Sequence, residues 1–201
     1  LDVAIETVRA VERHAGGDGD QLLGLAVQSR PLGLVGVLEE LEVEGLGGVA
    51  QEQVEAEILY EFRKAGMETA YPSIVGGGEN GCILHYTDNN GELHDGDLLL
   101  IDAGAEHDGY ASDITRTFPV NGKFSESQRA VYDVVLRAQK AAIEQAKPGN
   151  HWDDPHAAAI RELTKGLLEL GILEGDLEKL IEDNAYQPFY MHRTGHWLGL
   201  D

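Results

Sequence analysis

A chain of 201 residues has room for one domain, and an apolar share of 42% is enough for a packed core, which excludes wholesale disorder. Fifteen Lys and Arg face 36 Asp and Glu, a net charge of −21, and such a field repels phosphate backbones, so no nucleic-acid partner is expected. The single cysteine, Cys82, allows no intrachain disulfide, and no apolar run approaches the roughly 18 residues of a membrane span; a reducing, cytoplasmic setting and no membrane partner are expected.

Residues 1–50 differ in composition from the remainder. Aromatic residues begin only at Tyr60 and lysines at Lys64; Val3, Ala4, Val8 and Val11 fit one face of a short helix, but beyond Arg13 the nine glycines of the first fifty positions interrupt every candidate period. The start, LDVAIETVRA, has no initiator Met and no basic segment followed by an apolar one, so it reads as neither a native start nor a signal peptide. Residues 1–50 are therefore expected to be an atypical, poorly ordered leader, set apart from a domain over residues 51–201.

From Gln51 the periodicity sharpens. Val54, Ile58, Leu59 and Phe62 recur at helical spacing in QEQVEAEILYEFRKAG, with Gly66 as the C-cap. CILHYT is expected to be a strand, with Cys82 in the core, and DNNGELHDGD a turn-rich connection. The unbroken apolar run in DLLLIDAGA predicts a strand buried on both faces, and HDGYASDITRTFPV a strand paired back after Asp108-Gly109. Ser125 with Gln128 resembles a capping box opening a helix to Lys147, stopped by Pro148-Gly149. A second helix is expected over 154–170, ending at Gly171, and a short third one from Asp176. The closing FYMHRTGHWLGLD reads as extended chain plus loop. The sum is an α+β layout.

Asp102 closes the apolar run LLLI, where a carboxylate is costly unless paired or bound to metal. Asp113 follows in YASDITRT, and antiparallel pairing around Asp108-Gly109 would let both project to one face. A divalent cation would relieve their repulsion; the plainer alternative is that each only satisfies turn or backbone hydrogen bonds. His192 and His196 are spaced i, i+4, but Gly195 and Gly199 make a regular helix doubtful, so one ligand and one substrate-contacting histidine is as good a reading as two ligands, and taken alone the pair reads best as structural histidines packed on Trp197. His85 is placed on the CILHYT strand, where a lone histidine is more often structural than catalytic. VGGGENG lacks the Lys and Ser/Thr of a phosphate loop.

Taken together, ENGCILHYT, LLLIDAGAEHDGYASDITRTFPVNGKFS and FYMHRTGHWLGLD, in this order, resemble the Xaa-Pro aminopeptidases of the creatinase/prolidase superfamily from about Gln51 onward. The resemblance implies a partial pita-bread fold, an antiparallel sheet covered by helices. It also implies a hydrolase with two divalent metal ions, usually Mn2+, held by two Asp, one His and two Glu. Asp102 and Asp113 match the two aspartates, with Asp113 bridging, and His196 the ligand histidine. His85 and His192 match substrate-side histidines that orient the scissile peptide. The implied reaction, removal of an N-terminal residue that precedes proline, follows general two-metal logic, with paired cations activating water and polarising a carbonyl. The implied substrates are peptides with proline at the second position, and the full-length parent is expected to form a homo-oligomer. Both glutamates and a further histidine of that pattern lie beyond HWLGLD, so the chain is expected to be C-terminally truncated and inactive or nearly so. A prolidase-type dipeptidase and a non-catalytic binding protein of the same fold are the alternatives.

Overall fold

In the computed structural model, residues 46–198 are described. The leader expected over 1–50 thus lies outside the described residues except for its last five positions. Two compact units are formed, one by residues 46–123 with Leu198 and the other by Phe124–Trp197.

The first unit opens with α1 (Gln51–Lys64), whose i, i+4 pair Val54 and Ile58 is fully buried while Leu59 and Tyr60 face outward. Gly66, at φ +76°, turns the chain away after it. Strands β1 (Glu68–Thr69), β2 (Ile74–Gly77), β3 (Leu98–Ala103), β4 (Ala105–His107), β5 (Tyr110–Ala111) and β6 (Ile114–Pro119) follow in two antiparallel three-stranded sheets. Their orders are β1-β4-β5 and β2-β3-β6.

Strand β3 is the apolar run expected to be buried on both faces, and it is. Leu99, Ile101 and Ala103 join Val54, Ile58, Val75, Leu93 and Val120 in the main core, whereas Leu100 packs with Ile74 and Tyr86. Period-two alternation explains the division, and it puts Asp102 on the face of Leu100.

The partner of β3 on one side is not CILHYT. That place belongs to Ile74–Gly77, paired Ile74 to Asp102 through Gly77 to Leu99. CILHYT instead ends a 3-10 turn (Gly78–Cys82) and enters an irregular loop. Two features enforce the exchange. A Cβ on Gly76 would meet the Gly81 backbone at 2.9 Å, so only glycine lets the turn press against β2, and one on Gly77 would meet Leu93 Cδ2 at 2.4 Å on the connection that follows. The buried Asn89 side chain then takes the ladder's role, accepting from Val75 N at 2.8 Å and donating to Ser73 O at 2.9 Å. As a result Cys82, expected in the core, is exposed, and so are Ile83 and Leu84.

The second unit is helical. Ser125 caps α2 (Glu126–Gln145) as expected: its Oγ accepts from Gln128 N at 3.2 Å, and Gln128 Oε1 accepts from Ser125 N at 2.9 Å. Helix α3 (Asp154–Glu169) ends before Gly171, at φ +67°, and α4 (Leu177–Glu182) is capped by Asp176, which accepts from Lys179 N at 3.1 Å. Val134 and Ala138 of α2 pack on Ile160 and Leu163 of α3 together with Tyr190. After Tyr190 the described chain is irregular, in agreement with its interleaved pattern. Among the described residues no helix is long and apolar enough to cross a membrane.

Candidate metal centre

The two aspartates reach one place by a local device. Strand β3 pairs with β6 so that Asp102 stands opposite Thr115, and β4 pairs with β5 in the other sheet. HDGYASDITRTFPV is therefore not one strand but two, parted at Ser112 and Asp113. The chain changes sheets at Gly104 on one side and at Ser112-Asp113 on the other. A Cβ at Gly104 would fall 1.7 Å from Ser112 O, so the crossing requires glycine. Ser112 Oγ secures it by bonding to both N and O of Ala105 at 3.0 Å. The expected hairpin turn is present, with Asp108 and Gly109 both at positive φ.

At this seam the Tyr71 hydroxyl bridges the pair, 2.6 Å from Asp102 Oδ1 and 3.1 Å from Asp113 Oδ1. Burial raises the Asp102 carboxyl above the usual carboxylate range; the Tyr71 hydrogen bond opposes the shift and the charge of Asp113 adds to it. Burial, followed by the two carboxylates, pushes the Tyr71 phenol far up, so it remains a protonated donor at neutral pH. Two partly buried carboxylates that share one donor are a like-charge pair held together against repulsion. Their hard oxygen donors fit a hard divalent cation, which would neutralise both.

The three histidines occupy other settings. His85 is not on a strand: it sits in the exposed turn after the 3-10 segment, at φ +54°, because β2 has taken the strand position. His192 and His196 lie in the second unit on irregular chain, with no helix to align them. Each Nδ1 lies 2.8 Å from a backbone carbonyl, Arg193 O for His192 and Trp197 O for His196. A carbonyl can only accept, so Nδ1 carries the proton and Nε2 is the unprotonated nitrogen of the neutral ring. Among the described residues no three His, Cys, Asp or Glu side chains converge as a cation cage, and the aspartate pair is what the fold assembles. The sequence does not single out Tyr71. It belongs to no ligand motif and lies 31 residues before Asp102, so nothing local marks it.

Comparison with known proteins gives the chain a family. Residues 32–201 match the model of metallopeptidase family M24, starting upstream of Gln51. The Xaa-Pro aminopeptidase of Haemophilus influenzae is 58% identical over 150 residues, 74% of this chain and 35% of the relative. The structure of Pseudomonas aeruginosa aminopeptidase PepP superposes with a TM-score of 0.77 at 55% identity, covering 78% of this chain and 36% of the other. A zinc-substituted Escherichia coli aminopeptidase P in complex with product gives 0.76 at 50% identity, over 78% and 36%. The chain spans about a third of the length of the curated relatives it matches. Such likeness gives the described units the α+β, pita-bread architecture, and with the family match extending over most of the sequence, the chain belongs to metallopeptidase family M24.

Proposed function

We propose that residues 51–201 are part of the catalytic domain of a cytoplasmic metallo-aminopeptidase that removes an N-terminal residue preceding proline. The observation that carries this reading is the pairing of Asp102 and Asp113 under one phenol. By the family resemblance, Asp102, Asp113 and His196 would hold two divalent cations, Mn2+ in the cell. When bound, such cations supply Lewis acidity toward water and a peptide carbonyl. Tyr71 holds the two carboxylates side by side before any cation arrives, which reduces the reorganisation needed to bind one. His85 and His192 orient the scissile peptide and stabilise charge on it; the exposed turn that carries His85 suits a group that must meet a peptide. A homo-oligomer is proposed for the full-length protein.

The three ligands assigned here are fewer than the five that the resemblance implies, so the 201 residues by themselves should cleave Xaa-Pro peptides weakly or not at all. Manganese titration by calorimetry, with the Asp102→Ala/Asp113→Ala double variant alongside, tests the assignment. Heat of binding in the parent chain and none in the variant is expected. Equal binding in both would remove the aspartates from the centre, and brisk tripeptide hydrolysis by the chain would overturn the expected inactivity.

A further inference from the structure

The loop HRTGHW carries two of the proposed site residues, yet it has neither ladder nor helix to hold it and includes Gly195. Its fixed points are the residues between and beside the histidines. Thr194 is 4% exposed and Tyr190 3%, and the Thr194 hydroxyl bonds both to the Tyr190 hydroxyl and, at 2.7 Å, to His156 Nδ1. His156 stands in the first turn of α3, on a rigid element. The Tyr190 ring is tilted against His156 at 5.8 Å and meets the edge of His192 at 5.1 Å. Two outer contacts join the same partners: Arg193 pairs with Asp153, and Trp197 stacks on Trp152 at 4.4 Å.

These contacts are not equal. Arg193 and Asp153 are more than half exposed, and exposed ion pairs contribute little. The hydroxyl chain is buried, where an unmet polar group costs about 1–3 kcal/mol, so its geometry is enforced. A hydroxyl has one proton and two lone pairs. Tyr190 O–H donating to Thr194, and Thr194 O–H donating to Nδ1 of a neutral His156, gives each hydroxyl proton an acceptor. Burial, then the charge of Arg193, lowers the proton affinity of His156 in keeping with that neutral form.

We propose that Tyr190, Thr194 and His156 form a clasp that positions His192 and His196 by fastening their loop to the first turn of α3. The roles of those two histidines rest on the function proposed above; the clasp itself is tested without metal or substrate. Long-range proton–nitrogen spectra of the histidine-labelled 201-residue chain read each ring directly. In Thr194→Val the single sets of ring signals of His192 and His196 should be lost to shifted or split ones, with His85 and the far-ultraviolet dichroism unchanged. Thr194→Ser should restore them, and Tyr190→Phe, which keeps both ring contacts, should move them in the same direction. Wild-type signals for His192 and His196 in Thr194→Val would overturn the clasp. Should that variant fail to fold, unmoved signals in Tyr190→Phe would do the same. Zinc added to the unaltered chain addresses the ligand role separately: a His196 ring that ignores zinc counts against the proposed centre and leaves the clasp standing.

Discussion

A phenol placed 2.6 and 3.1 Å from two carboxylates does what neither aspartate can do for itself, since each ionised form repels the other. Tyr71→Phe deletes only that oxygen. Hydrogen bonds to charged groups contribute about 1.5–3 kcal/mol, and partial exposure of the pair reduces this, so a loss of about 1–2 kcal/mol in urea unfolding is expected for the cation-free chain. Loss of a partner that orients ligands typically weakens metal affinity about 10–100-fold, and manganese calorimetry should show a drop in that range. Wild-type stability together with wild-type affinity would show that Tyr71 has no part in holding the pair. At this scale the sequence was informative where a residue contradicts its surroundings. Asp102 ends a buried apolar run, and that mismatch announces a purpose. Tyr71 contradicts nothing around it, so its role emerges only once a sheet has brought it to Asp102. His156 and Thr194 were silent for the same reason, being 38 residues apart.

Among the elements, helices were legible because their ends are written in local chemistry. The Ser125/Gln128 box, the Asp176 cap and the glycines Gly66 and Gly171 all stand where side-chain bonds or positive φ demand them. The strands were half legible. The β3 run announced itself, but Ile74–Gly77 was passed over, because Gly76 and Gly77 lower β propensity and their use is tertiary, room for Gly81 and Leu93. The same kind of contact governs the helices. A Cβ at Gly166 of α3 would fall 2.1 Å from Val134 Cγ1 of α2. Gly166→Ala should therefore destabilise the chain by about 1–3 kcal/mol through overpacking, although alanine is the better helix former. Adding Val134→Ala makes room and should recover part of that loss, giving a favourable coupling in the double-mutant cycle. Additive losses would mean that the approach of Gly166 to Val134 is not what constrains the pair.

Over the whole molecule, 36 acidic against 15 basic residues impose a self-repulsion that any cation relieves, so stabilisation by manganese does not by itself reveal a site. Monovalent salt separates the two effects. Screening shortens from about 30 Å at 0.01 M to about 8 Å at 0.15 M, and potassium chloride over this range should raise the melting temperature of the parent chain and of an Asp102→Asn/Asp113→Asn variant alike. Manganese added at the higher salt then acts on a field already screened. At roughly 100-fold above its dissociation constant, a site-bound cation adds about 2.7 kcal/mol, which for a chain of this size is roughly 5–11 °C. That increment should appear in the parent and vanish in the variant, whose carboxamides keep the shape of the pair and lose its charge. An equal rise in both would assign the effect to diffuse screening by the acidic surface. A rise confined to the parent would place cation binding at the seam where Gly104 lets the chain cross from one sheet to the other.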